Sequence, residues 1–374
     1  MATETTTRTF RLNGAQLRGL LGNRTCTHLS PLTLNTAGKA SPEERRALEK
    51  AGLLDAAGNV PSPWNGAMDV LAAPGIEILV AAGTRDGLQA LHTYGSPSQG
   101  MTLTGYTPRG ENEHTLAYPL SRTDLLAYLA SILGWENKVA DLGVALECNA
   151  TAWVALVGLL DAERELQLDA MLAREPYDAA GVRAERILVN VREGWLVDDF
   201  RWLVSMARRM SPSADMPDAE SIGEGLKELE GLGWIEGRPD GRWTIRASMA
   251  TAAAHLQTPL AFGVLVLQSL MQDQLERSLH VGWIRGLGSL WMVDFRQDNK
   301  TQLRVGLRSL DGATAARATN EVLEWACART AAAVQPSPIH AAPPKPAPRF
   351  CSGCGTPLVE SARFCAQCGT KILR

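Results

Sequence analysis

The residues best placed to do chemistry lie at the C-terminal end. Phe350-Cys351-Ser-Gly-Cys354-Gly355-Thr-Pro-Leu358 is echoed by Phe364-Cys365-Ala-Gln-Cys368-Gly369-Thr-Lys-Ile372. The spacing is Cys-x2-Cys-x10-Cys-x2-Cys. Two residues between cysteines let a tight turn aim both sulfurs at one metal ion, and a glycine just after each pair supplies the positive φ that completes the turn. Four thiolates at about 2.3 Å make a closed tetrahedral zinc site, which stabilises folding and leaves no open position for catalysis. A segment this short cannot build a sufficient core, so a structural Zn2+ held by Cys351, Cys354, Cys365 and Cys368 would hold it together. Redox dithiols and iron–sulfur ligation use the same residue type, but neither accounts for two repeated Cys-x-x-Cys-Gly turns.

Residues 349–374 resemble the short zinc-ribbon family found at the ends of bacterial proteins. A folding element, a protein-docking element and a nucleic-acid contact all remain open as roles for it. From Arg349 onward four basic residues (Arg349, Arg363, Lys371 and Arg374) face one acid, Glu360. Upstream, 331–348 reads AAAVQPSPIHAAPPKPAP, with only Lys345 charged. Proline fixes φ and removes backbone donors, so this stretch is expected to be a semi-rigid tether of ~50 Å at most.

Other catalytic signatures are missing. Gly38-Lys39 lacks the upstream glycine and the hydroxyl of a phosphate loop, and Gly286-Leu-Gly288 has no third glycine. His-Glu-x-x-His and Gly-x-Ser-x-Gly do not occur, and the six histidines are isolated in sequence. His114 and His280 read as ordinary pleat positions. The expectation is a protein that is not an enzyme, with an uncharacterised enzyme as one alternative. Eight of the ten tryptophans fall between Trp153 and Trp325, and most read as core. Trp283 and Trp291, on neighbouring predicted strands, are the candidates for a partner contact.

Around these residues stands a chain of 374 residues with 45% apolar and 21% charged side chains and a net charge of -3. That composition suits a globular body and gives no overall pull toward nucleic acid or anionic lipid. No run of eighteen apolar residues is present, so no membrane insertion is expected. The start of the chain has no basic region followed by an apolar run. Scattered single cysteines (Cys26, Cys148 and Cys327) suit a reducing compartment, so the cytoplasm is expected.

Element order suggests a duplication. LEKAGLL at 48–54 and LEGLGWI at 229–235 each end a predicted helix, followed by an acid and a glycine turn. Strands are predicted near Ile76–Ala82, Gln89–Tyr94, Met101–Thr107 and His114–Leu120. A second set is predicted near Phe262–Gln268, His280–Leu287, Leu290–Arg296 and Thr301–Leu310. Alternation supports them, with Leu303, Val305 and Leu307 on one face of the last. Ser121-Arg-Thr-Asp124 caps one closing helix, and Asp311-Gly312 precedes the other. Residues 137–215 read as wholly helical. The expected fold is α/β (α+β): a duplicated pseudo-twofold unit with an antiparallel sheet flanked by helices. The expected divisions are a first repeat over 1–140, a second with a helical insert over 141–330, a linker over 331–348 and the zinc ribbon over 349–374.

GLKELEGLGWIEGRPDGRWTI at 225–245 resembles the last helix and wing of a winged-helix domain, which makes a winged-helix/zinc-ribbon DNA-binding transcription regulator the first alternative, ahead of the enzyme. Glu220, Glu224, Glu228 and Glu230 against Lys227 argue against it, because phosphate repels such a helix. The two-copy order, Ala-Gly-Leu-Leu-Asp-Ala-Ala-Gly-Asn-Val at 51–60, Leu71-Ala-Ala-Pro74-Gly-Ile-Glu-Ile-Leu-Val80 and the helix from Asp124 to Leu133 are similar to the EspG family of cytosolic type VII secretion chaperones. The resemblance spans residues 8–330. It implies a pseudo-twofold α/β fold that shields the aggregation-prone tip of a helical secretion substrate. The tether and zinc module depart from that family's pattern, and no substrate-contact residue carries over. The expected function is therefore a protein-binding, secretion-chaperone-like scaffold, with the ribbon as a second contact.

Overall fold

Apolar strands pair into one large sheet, and helices cover both of its faces. The computed structural model describes residues 7–332, apart from 23, 33–39, 63, 97–101, 110–111, 137, 178, 213–214, 272–273 and 299–301. Contacts divide the chain into two units, Met1–Ala333 and Val334–Arg374, of which the second lies outside the described residues.

In chain order the first part holds β1 (Arg8–Asn13), α1 (Gly14–Leu21), α2 (Pro42–Lys50), α3 (Trp64–Ala72), β2 (Ile76–Thr84), β3 (Gly87–Gly95), β4 (Leu103–Arg109), β5 (Glu113–Leu120) and α4 (Arg122–Leu133). Next come β6 (Ala145–Asn149), α5 (Ala150–Ala173), β7 (Val182–Arg183), α6 (Ala184–Leu196), α7 (Leu203–Met210), α8 (Ala219–Gly231), β8 (Ile235–Gly237), β9 (Arg242–Ile245) and α9 (Ala250–Leu256). Strands β10 (Pro259–Met271), β11 (Gln274–Gly286), β12 (Leu290–Asp298) and β13 (Gln302–Leu310) follow, and α10 (Gly312–Ala332) closes the described residues.

Ten strands form the main sheet in the order β1-β5-β4-β3-β2-β10-β11-β12-β13-β6, all adjacent pairs antiparallel. The order reads alike outward from the β2–β10 junction, where Val80 faces Leu265. On each side a four-strand meander ends in a helix, and a strand from the start of that half closes the edge. Gly83 lies opposite Phe262 at this junction, and an added Cβ would sit 2.1 Å from the Phe262 ring.

Alternation decides which side chains go where. Ile76, Ile78, Val80, Leu265 and Leu267 point to one face, beneath α4 and α10. Over the other face, α1–α3 cover Tyr94, Tyr106, Leu116 and Tyr118 in the first half. Helices α5–α9 cover Phe262, Ile284, Val293, Val305 and Leu307 in the second. The capping box of α4 forms, with Asp124 N 3.2 Å from Ser121 Oγ and Ser121 N 2.7 Å from Asp124 Oδ2. Thr314 N donates to Asp311 Oδ1 at 2.7 Å at the start of α10.

One expectation is corrected. Residues 137–215 are not wholly helical, because Ala145–Asn149 is an edge strand on β13, with Cys148 opposite Val305 and Leu146 opposite Leu307. Five residues are too few for periodicity to separate a strand from a helix turn, and the pairing partner lies far away in sequence. The same holds for β1, whose partner is β5.

Candidate functional site

Trp283 and Trp291 do not form a partner contact. Both are fully buried, on opposite faces of the sheet: Trp283 under α4 and α10, Trp291 beneath α5–α9. The Trp291 indole donates to Ser289 Oγ at 2.9 Å. Neighbouring strands brought the two close together, but their register sends one side chain up and the other down. Trp325 on α10 is 40% exposed.

The winged-helix pattern does take shape. Strands β7, β9 and β8 make a three-stranded sheet in that order, with Val182 opposite Trp243 and Ile235 opposite Ile245. The wing turn closes through Arg238 N to Arg242 O at 2.8 Å, and Gly241 takes a φ of 79°. Helix α8 lies against α5 at Gly225, where an added Cβ would sit 2.8 Å from the Thr151 carbonyl oxygen. Glu228 turns inward, accepting from Asn149 N at 2.9 Å and facing Arg304 at 3.4 Å, so it holds α8 to the β6 edge. Glu220 and Glu224 are exposed beside Lys227. The outward face of this helix is acidic.

Between α5, α6 and α7 lies a half-open cavity of about 260 Å³ lined by Asp161, Glu165, Glu193, Asp199 and Trp202 among others. Asp161 is buried, and burial pushes its carboxyl up to about 7. Its two oxygens accept from Leu203 N (3.1 Å) and Val204 N (2.8 Å), which caps α7. Arg164 lies 4.9 Å from the Trp202 ring centroid. The Asp161 carboxyl is thus engaged in holding α7. The Cys148 thiol is likewise inert: burial first, and then the Glu228 charge, push it up to about 12.

The surface feature that sequence reading missed is the outer end of α5. From Ala152 to Glu163 this helix is buried on all sides, as a helix apolar all round should be. Residues 164–167 still pack on the body; from there on the helix turns to solvent, and Leu168, Met171 and Leu172 are 40%, 73% and 83% exposed. Their i, i+3, i+4 spacing puts them on one stripe. That spacing was visible in the sequence; that no element covers it among the described residues was not.

Cys351, Cys354, Cys365 and Cys368 lie outside the described residues, so the donor set itself is what tests the fit to a metal. Four cysteines in two close pairs suit Zn2+, a borderline-soft ion that accepts thiolates tetrahedrally. Residues 350–372 match the zinc-ribbon domain. That match spans the four cysteines and both glycine turns. No curated protein matches the chain. Among solved structures, the chain is similar to the Mycobacterium tuberculosis type VII secretion system chaperone EspG5, solved in complex with the PE25-PPE41 dimer. The two share 14% identity at a TM-score of 0.46, over 85% of this chain and 96% of that one. No helix among the described residues is long and apolar enough to cross a membrane.

Proposed function

We propose that this chain is a non-enzymatic, cytoplasmic protein-binding scaffold of the secretion-chaperone kind. It engages an apolar helical segment of a protein partner, and its structural zinc ribbon makes a second contact. The α5 stripe carries this reading. Leu168, Met171 and Leu172 stand in water on a helix whose preceding turns are locked in the core. Burying one such side chain gains about 1.5–3 kcal/mol, so a partner covering all three gains a substantial anchor. The first turns of α5 fix the direction of the stripe, which reduces the ordering cost of binding. The EspG resemblance read from residues 51–60, 71–80 and 124–133 points to the same kind of role.

A ribbon joined through 331–348 raises overall affinity when both contacts engage, because the second becomes intramolecular. Zinc would be held by Cys351, Cys354, Cys365 and Cys368, and its contribution is to fold that contact.

The test pairs the full chain with a variant carrying Leu168→Ser, Met171→Ser and Leu172→Ser. Affinity capture from the native host should recover a specific protein with the first and lose it with the second, while both melt alike. Recovery of the same proteins by both would remove the stripe from the mechanism. Metal analysis should find one zinc per chain, lost on Cys354→Ser. The acidic outer face of α8 argues against the winged-helix regulator, and a mobility shift showing sequence-selective DNA binding at physiological salt would reinstate it.

A further inference from the structure

A second cavity, of about 300 Å³, lies on the sheet at the seam between its two halves. Strand register builds its floor. Glu77 on β2 faces Tyr94 on β3 and Gln268 on β10, while His92 on β3 faces Tyr106 on β4. Side chains two residues apart on one strand share a face, so Glu77, His92, Tyr94 and Tyr106 converge there. Residues 28–31, in the loop after α1, form the wall above them.

The polar side chains in this cavity gather around one carboxylate. His92 Nδ1 lies 2.7 Å from Glu77 Oε1, and the Tyr94 hydroxyl donates to the same oxygen at 3.1 Å. Among the described residues, Glu77 Oε2 receives no hydrogen bond, and no lysine or arginine pairs with the carboxylate. The Glu77 side chain is only 14% exposed. Burial, followed by the nearby Glu77 charge, pushes the Tyr94 phenol far above its usual range, so the ring remains a neutral donor. A mostly buried carboxylate with one oxygen open to the cavity and aromatic walls suits a cation that also presents a flat face.

We propose that this cavity is a binding site for a guanidinium group. Guanidinium carries donors and no acceptor, forks onto a carboxylate, and stacks on aromatic rings better than ammonium does. Glu77 Oε2 takes the charge-assisted hydrogen bond. Gln268 Oε1 and the second ring nitrogen of His92 are the further acceptors on the floor. The rings of Tyr94 and Tyr106, 6.4 Å apart between centroids, supply apolar and cation–π contact. Neither the α5 stripe nor the zinc ribbon is needed for this assignment, so it can fail without affecting the scaffold reading.

The experiment titrates the full chain with N-acetyl-arginine amide, using the citrulline and lysine amides as probes of charge and shape. Free arginine in a parallel titration separates a free ligand from a side chain presented by a peptide. Calorimetry should give arginine-amide binding about tenfold tighter than citrulline-amide binding, the difference expected for a charge-assisted hydrogen bond. Glu77→Gln should abolish that preference, whereas Leu88→Ala, exposed on the same sheet, should leave it intact. The His92 ring resonances should move on adding the arginine amide to wild-type protein, which gives a readout that does not depend on how any variant folds. Equal binding of the citrulline or lysine amide, or an unmoved His92 signal, would overturn the assignment.

Discussion

The two halves of the sheet carry the same strand order under different helical covers. Over the first half lie three short helices, α1, α2 and α3, resting on a sheet surface of tyrosines and histidines. The second is sealed by α5, a 24-residue helix buried on all sides through Glu163, with α8 packed on it. A long apolar helix excludes water from the strands beneath it. Short helices leave gaps, and the sheet beneath them retains hydroxyl, imidazole and carboxylate groups that hydrogen-bond one another. A shared sheet therefore serves as platform, and the cover determines which surface is dry and which is polar.

If the second half is the better sealed, Trp291→Ala should cost the most, about 3–5 kcal/mol in urea unfolding, because it empties a fully buried indole site. A change near zero would return Trp291 to the surface and dissolve the contrast. Next comes Gly225→Val, where the added side chain meets the α5 backbone and should cost about 1–3 kcal/mol. An unchanged midpoint would mean that α8 does not pack so closely.

In the first half the expected losses are polar and smaller. The Tyr106 hydroxyl and His114 Nδ1 are 2.9 Å apart and buried, so Tyr106→Phe should cost about 1–2 kcal/mol by leaving an imidazole nitrogen unpartnered. A stabilised variant would show that the phenol is not needed there.

The remaining effect is one of pH. In the folded state the Asp161 carboxyl is held at about 7, against an ordinary 3.8 when unfolded. Between about pH 4 and about pH 7 the native carboxyl keeps a proton that the unfolded chain has released. Its contribution to stability therefore falls as pH rises through that window, and the cost is complete above it. Asp161→Asn should lose less stability between about pH 5 and about pH 8 than the wild type does, measured as the change in unfolding free energy. Identical pH profiles would mean that the carboxyl is hydrated after all.

Much of this architecture was legible in local patterns. Leu303, Val305 and Leu307 alternate because one face of β13 meets a core, and Ser121 with Asp124 marks a helix start because backbone donors there need acceptors. The acidic side of α8 was equally plain from Glu220 and Glu224. Edge strands β1 and β6 were missed, since a five- or six-residue strand is defined by its neighbour, which lies more than a hundred residues away in both cases. The Glu77 cluster was missed for the same reason: His92 and Tyr94 alternate in sequence like any strand pair, and only the sheet places Glu77 beside them.

Local chemistry in the chain determined the periodicities, the caps, the turns and the two cysteine pairs, because each depends on residues within a few positions of one another. Tertiary structure alone decided which of two neighbouring tryptophans faces which core, where α5 emerges into water, and which carboxylate lies among aromatic rings. Those outcomes depend on register and cover between distant segments, and a one-residue change of register turns every side chain of a strand to the opposite face.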